Sequence, residues 1–444
     1  MQLVTKDPNA FATAITKSAG SLFRSGTLLE AAAAVMAGGQ VPFTPPQTIS
    51  PTELDRIVRE LQRQSNEAAE RHLAKAGRAT TLEEQILAVL LSGAISPQRS
   101  LNPEAGKGEP TPEAIRSEIL SRIAQFTRRR APVVFALVFG GMKARVQLKS
   151  GTTILPDMAE WFAWSRLQAM VTAINQLYSP GALMFPIPDG PLYSPDLADI
   201  TESEAHIRQS VEDRKLLGFD SIITPVTTRW MNEEWEEAVR MLLSEAQRQI
   251  DRDPVKTAEH LDSLYASVDS RRLGLTYEEA VLSYTSIAAK LAVNRKVKPE
   301  DKAGTSLRQQ LLALAPELPT IATSAAEEIM AFAGRAKPRY DAVNFAIRQA
   351  ELLERILEGE TGAREYVRLS VHAKPYELQP QFFDASSLVK TPTLLPMHGI
   401  GFAVDRGTRL EVGPAFHLQA RLQAWVPKAD STGRILWYLA PARH

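Results

Sequence analysis

Residues 131–193 read APVVFALVFGGMKARVQLKSGTTILPDMAEWFAWSRLQAMVTAINQLYSPGALMFPIPDGPLY. Pro132 to Phe139 is an apolar run of strand length, rich in Val and Phe, that stops at Gly140-Gly141. With both faces apolar, it reads as a central strand of a covered sheet. Lys143, Arg145 and Lys149 follow in a basic loop. Leu155-Pro156-Asp157 then opens a helix with apolar residues at Met158, Trp161, Phe162, Trp164, Leu167, Met170, Ile174 and Leu177. Asp157 stands at the N-cap and Glu160 in the first turn, where carboxylates suit the positive helix end. Ser179-Pro180-Gly181 ends the helix, and a second apolar strand, Ala182 to Ile187, delivers Asp189-Gly190 in a turn. The order is strand, basic loop, helix, strand, acidic loop. In open α/β sheets, ligands sit outside the carboxyl ends of the strands. Periodicity does not say whether the two loops share an edge.

Outward from this unit the chain divides into five stretches. Residues 1–50 form an N-terminal arm and proline-rich linker, expected to pack on the body or on a partner chain. Residues 51–130 are helical: Ser50 caps a helix beginning at Pro51, a second helix spans Thr81 to Leu91, and a third starts at Thr111-Pro112-Glu113. That third helix ends at Arg128-Arg129-Arg130, a basic run that meets the helix dipole as a solvated end; without aromatic interleaving it is no nucleic-acid surface. Residues 131–229 are the α/β core, with a charged helix over Thr201–Leu217. Residues 230–358 are a helical block broken at prolines and glycines with no fixed repeat period. Residues 359–444 return to strands, at Tyr366–Val371, Gly399–Val404, Arg409–Val412, Arg421–Val426 and Ile435–Leu439, with Asp405-Arg406-Gly407 as a hairpin turn. The expected fold is α/β: a central mixed sheet with covering helices, a large helical insertion and an antiparallel C-terminal sheet extension.

The 444 residues carry 51 Lys plus Arg against 51 Asp plus Glu, so the chain as a whole favours neither nucleic acid nor anionic membrane. Any anion site must be local. The absence of cysteine excludes disulfides, thiolate metal sites and a cysteine nucleophile. No run of about 18 apolar residues suggests a membrane span, and Glu30 and Arg24 spoil the N-terminus as a secretory signal. The expected compartment is the cytoplasm.

The order GxxK at Gly140–Lys143, LPDxxEW at Leu155–Trp161, YSPGA at Tyr178–Ala182 and PDG at Pro188–Gly190 resembles the isonitrile synthases, the pyoverdine/dityrosine biosynthesis family. A second set of blocks lies downstream, in Val367-Arg368-Leu369-Ser370-Val371-His372 and Pro396-Met397-His398-Gly399. The resemblance implies condensation of the α-amine of an amino acid with the C2 carbonyl of ribulose 5-phosphate, needing no metal or organic cofactor. It implies an iron and 2-oxoglutarate dependent oxygenase as a companion, and a homo-oligomer is compatible with it. The chain departs from the family pattern in having Met397 where a tryptophan precedes the histidine, and GGMK where the basic loop bears a proline.

Such a reaction needs a phosphate cradle, a grip on the amino acid, acid and base groups, and shielding from water. Lys143 follows two glycines that let the backbone approach an anion. Arg368, Ser370 and His372 alternate along one strand and so project to one face. A guanidinium fork suits phosphate or carboxylate, whereas Lys143 acts as a point charge. Asp157, Glu160 and Asp189 are the acidic candidates, for the substrate ammonium and for taking its proton. Asp189 is the favoured base because it has no helix to cap, and His398 is the natural proton shuttle.

Each residue also has a plainer explanation. Asp157 and Glu160 suffice as helix caps, Asp189-Gly190 as a turn, either histidine as a structural side chain, and Arg145 and Lys149 as solvated strand-edge charges. Two other functions compete. A metal enzyme would use His372 and His398, although no H-x-D or H-E-x-x-H spacing supports a ligand set. A binding or scaffold protein would use the helical block as its surface. A nucleotide-dependent oxidoreductase is disfavoured, because no G-x-G-x-x-G follows a strand.

Overall fold

The computed structural model describes residues 46–95, 111–139, 141, 155–188, 200–225, 352–362, 364–371, 377–384, 387, 396, 401–405, 409–414 and 426–439. Their elements in chain order begin with β1 (Gln47–Thr48), α1 (Pro51–Ala76), α2 (Leu82–Ser92), β2 (Ala94–Ile95), α3 (Pro112–Arg129) and β3 (Val133–Val138). Next come α4 (Met158–Leu177), β4 (Ala182–Ile187), α5 (Ile200–Leu217), α6 (Leu352–Thr361), β5 (Val367–Leu369) and β6 (Gln379–Pro380). The chain closes with β7 (Gly401–Asp405), β8 (Leu410–Pro414), β9 (Val426–Ala429) and β10 (Ile435–Leu439).

Local chemistry sets the helix starts. Ser50 Oγ accepts from Glu53 N at 3.1 Å ahead of Pro51, and Thr81 and Glu84 close a capping box before α2. Thr111 Oγ1 accepts from Ala114 N at 3.2 Å to begin α3. At the far end of α3, Arg130 takes a left-handed conformation, φ +53°, and the exposed arginines stand in solvent, with Arg129 pairing with Glu365 at 2.8 Å. The triplet is a helix end, as its sequence suggests.

The apolar run at the heart of the sequence becomes the centre of a parallel sheet in the order β4-β3-β5. β3 pairs with β4 from Val133↔Ala182 to Val138↔Ile187, and with β5 through Ala136↔Arg368. Single parallel bridges widen it, Met184↔Ile222 on one side and Leu369↔Leu378 on the other. Of the described C-terminal strands only β5 joins this sheet by a full ladder. β6 pairs antiparallel with β2 in a sheet of two strands, and the rest form a mixed sheet, β1-β9-β10-β7-β8, whose β9/β10 and β7/β8 pairs are antiparallel and whose β1/β9 and β10/β7 pairs are parallel. Gln47–Thr48, the tail of the N-terminal linker, is its edge strand, so this part of the arm packs on the body.

The reason for a separate sheet lies in α4. This helix packs against α1, α2, β4 and α5, and also against β7, β8 and β10. It is therefore enclosed on nearly every side, with Trp161, Phe162, Trp164 and Leu167 fully buried. The C-terminal strands cover the side of α4 that the parallel sheet leaves open, burying Ala403, Leu410, Val412, Leu436 and Trp437 in the same core. Among the described residues no helix is long and apolar enough to cross a membrane. The helical block expected over 230–358 lies outside the described residues except for its end in α6.

Candidate active site

Because β3, β4 and β5 are parallel, their carboxyl ends lie at one edge of the sheet. The chain leaves that edge after Phe139, at Pro188 and at Ser370. A helix joining two adjacent parallel strands returns antiparallel to them, so α4 begins at the same edge. The amino end of α5 is fastened there too, since Ser203 Oγ donates to the Gly141 carbonyl at 2.6 Å.

Asp157 is fully buried and uses both carboxylate oxygens. Oδ1 accepts from Ala159 N at 2.8 Å, and Glu160 Oε2 accepts from Asp157 N at 2.9 Å, so the two residues form a capping box at the head of α4. Oδ2 accepts from the backbone N of Gly401 at 3.0 Å. A Cβ at residue 401 would stand 2.8 Å from both Ala159 N and Asp157 Oδ1, so only glycine allows this approach. The LPDxxEW turn is thereby tied to the strand that follows the PMHG block. His398 precedes Gly401 by three residues.

A buried ionic group braces the same turn from beneath. Arg434 donates to Asp213 through Nη1 at 2.8 Å and Nη2 at 3.0 Å, to Asp430 through Nε at 2.9 Å, and to the Pro156 carbonyl at 3.1 Å. Asp213 also accepts from Trp161 Nε1 and Gln209 Nε2, each at 2.8 Å. This group joins α4, α5 and the β9–β10 hairpin beside Pro156. Burial alone would raise the Asp430 carboxyl, but hydrogen bonds from Thr432 and Arg434 hold it below its ordinary value.

Comparison with known proteins follows from this framework. Residues 123–266 match the family model described as pyoverdine/dityrosine biosynthesis protein. This segment is similar to the pyoverdine/dityrosine biosynthesis proteins over about a third of the chain. The match takes in β3, α4, β4 and α5, and with them Lys143, Asp157, Glu160 and Asp189; the blocks around Arg368 and His398 fall beyond it. Among solved structures, the PvcA protein from Pseudomonas aeruginosa matches at 17% identity with a TM-score of 0.42, covering 81% of this chain and 100% of that one. A search of curated proteins gave no match.

Of the residues singled out in the matched segment, Asp157 and Glu160 are described, and both sit at the sheet edge. Lys143, Asp189, Arg145 and Lys149 lie outside the described residues, as do His372, Met397 and His398 further on. Arg368 lies within β5 opposite Ala136, with its Nε 3.2 Å from Glu377 Oε1 but out of hydrogen-bond alignment. Its other charged neighbourhood includes Tyr366, whose phenol burial pushes above its ordinary range, and Arg122, which reaches the Tyr366 carbonyl at 3.4 Å. Ser370 follows the strand, buried, with its N bonded to the Leu378 carbonyl at 3.0 Å.

Several residues at or near this edge escape a sequence reading. Ser203 and Asp213 look like ordinary polar positions of a charged helix, and Arg434 like a hairpin residue; the partners that tie them to other elements, Gly141, Trp161 and, for Arg434, Asp213, lie more than 50 positions away. Arg166 does leave a trace, being a lone cation inside an otherwise apolar helix. Arg214 is buried over the Trp164 ring at 5.1 Å and bonds Thr224 Oγ1; burial pushes its guanidinium down to about 10.

Proposed function

We propose that the chain is an isonitrile synthase-like enzyme of secondary metabolism. It joins the α-amine of an amino acid to the C2 carbonyl of ribulose 5-phosphate, with the sugar supplying the isonitrile carbon and with no metal or organic cofactor. Support for a biosynthetic role comes from the family segment at 123–266. Support for a single site comes from one observation, the parallel register of β3, β4 and β5, which sends the chain towards Lys143, Asp189 and His372 from one sheet edge.

In this reading Lys143 and Arg368 hold the phosphate, as a point charge and a fork respectively. Asp189 removes the ammonium proton so that the amine can attack. The attack forms a carbinolamine, and His398, with His372, protonates the departing hydroxyl and serves the later eliminations. Ser370 donates a hydrogen bond to the sugar phosphate. Asp157 and Glu160 set the amino end of α4 and the approach of Gly401, and through them the place of the segment carrying His398. An iron and 2-oxoglutarate dependent oxygenase would take the product onward, and the enzyme would work in the cytoplasm.

The test is incubation of the full chain with a panel of amino acids and ribulose 5-phosphate, followed by mass spectrometry. Consumption of one amino acid with appearance of the isonitrile is the expected result. A binding protein is the second reading, favoured by the fact that Asp157 and Glu160 both serve backbone amides. It would be preferred if a sugar phosphate or amino acid bound without turnover.

A further inference from the structure

On the flank of α4, away from its amino end, two guanidinium groups meet at one oxygen. Asp384 Oδ2 lies 3.0 Å from Arg166 Nη1 and 3.4 Å from Arg71 Nη2. Arg166 is buried, 5% exposed, and its Cζ lies 4.6 Å from the centre of the Phe162 ring, which itself stacks on Phe383 next to Asp384. Its second terminal nitrogen, Nη2, is buried without an acceptor. Arg71 is 51% exposed and opens the group to solvent. Arg409 adds a third positive charge close enough to disfavour the charge on Arg166, and its Nε is also buried without an acceptor. His72 stands beside them, with Nδ1 against Ser92 Oγ.

This arrangement is unbalanced. Arg71 and Arg166 carry two fixed positive charges against the one negative charge of Asp384, which both contact, and the charge of Arg409 adds to the positive field at Arg166. Guanidiniums held rigid by an aromatic face and by burial lose little freedom on binding and present parallel N–H groups, the geometry that suits tetrahedral oxyanions. The shared oxygen of Asp384 marks the point at which the donors of Arg71 and Arg166 converge. The buried Nη2 of Arg166, without an acceptor, adds a donor that a larger anion can use and one carboxylate does not.

We propose that Arg71 and Arg166 form a binding site for a small dianion of the phosphate class, whose oxygens share or take over the position of the Asp384 carboxylate. The site lies on the flank of α4, away from its amino end, and stands whether or not ribulose 5-phosphate is the substrate. Inorganic phosphate and a phosphate monoester present the same oxygens, so both are probes.

The experiment is calorimetric titration of the full chain at constant ionic strength with inorganic phosphate, ribose 5-phosphate and, as a monoanion control, acetate. Saturable binding of phosphate or of the monoester, and not of acetate, is expected; the tighter of the two identifies the natural source. Arg166→Gln should weaken binding by about tenfold or more. Arg71→Gln, at a half-exposed position, should weaken it with an unchanged Tm, which keeps the test open if Arg166→Gln fails to fold. Asp384→Asn removes the internal competitor and should strengthen binding, an effect that a purely structural ion pair does not produce. Absence of saturable binding in both the wild type and Asp384→Asn overturns the proposal. So does binding that survives the arginine substitutions and is lost in Lys143→Ala, because that places the anion at the strand edge.

Discussion

The Asp157 carboxylate and the Gly401 amide, 244 positions apart, meet at 3.0 Å and fasten the head of α4 to β7. Asp157→Ala removes an N-cap and leaves a buried N–H unsatisfied. The two losses together should cost about 2–4 kcal/mol. Gly401→Ala should cost about 1–3 kcal/mol by forcing the two elements apart. Urea unfolding of each variant measures both effects, and a loss below about 0.5 kcal/mol for Asp157→Ala would show that the contact does not hold the two parts together.

Arg434 and Asp213 are 6% and 2% exposed, so neither charge can be rehydrated when its partner is lost. Arg434→Met should destabilise the fold by about 3–5 kcal/mol, because Asp213 remains buried and uncompensated. Adding Asp213→Asn to that variant should recover part of the loss. A double-mutant cycle from denaturation midpoints gives the coupling, and simple additivity would sink the idea.

His72 gives the stability a dependence on pH. Burial, then the charges of Lys75, Arg166 and Arg71, outweigh Asp384 and press its imidazole down to about 4 from an ordinary 6.5. The unfolded chain therefore binds more protons than the folded one between these values. Stability from this residue is complete above pH 6.5 and falls as the pH drops towards 4, by up to about 3 kcal/mol. His72→Gln should flatten that part of the profile. Chemical denaturation at a series of pH values, wild type against variant, is the comparison, and matching slopes would refute the assignment.

If the proposed condensation occurs, its steps should separate in kinetics. Lys143→Ala should raise KM for the sugar phosphate by about tenfold, since it removes a charge from the phosphate. His398→Ala should lower kcat by about a hundredfold with little change in KM. Steady-state assays with varied ribulose 5-phosphate distinguish the two patterns. Equal loss in both parameters for both variants would argue for collapse of the site rather than for distinct roles.

The elements of the parallel sheet were legible because local rules dominate there. Pro132–Phe139 and Ala182–Ile187 are apolar runs between clear turn signals, and Asp157 with Glu160 spells a helix start. The destination of the C-terminal strands was not legible. Their short apolar stretches fit an extension of the first sheet as well as a second sheet, and the choice is made by the open side of α4. The alternation of Arg368 and Ser370 indicates a shared face but says nothing of Glu377, which claims the Arg368 charge. Likewise the edge shared by the loops after β3 and β4 follows from strand direction, which hydrophobic patterning does not contain. Polar residues whose partners are remote, such as Asp213 and Arg434, are invisible to any local window.

Gln47–Thr48 lies alongside Lys428–Ala429, and Ile49 N bonds the Ala429 carbonyl at 2.8 Å. The first described residues of the chain are thus held by nearly the last. During synthesis on a ribosome, α1 emerges hundreds of residues before the hairpin that completes its surroundings, and the apolar face of α4 waits as long for β7, β8 and β10. Such distant pairings slow folding and prolong exposure of sticky intermediates. Expression of this protein should therefore respond to cooler growth and added chaperones, and a truncation before the final hairpin should accumulate as aggregate even though it keeps every residue at the sheet edge.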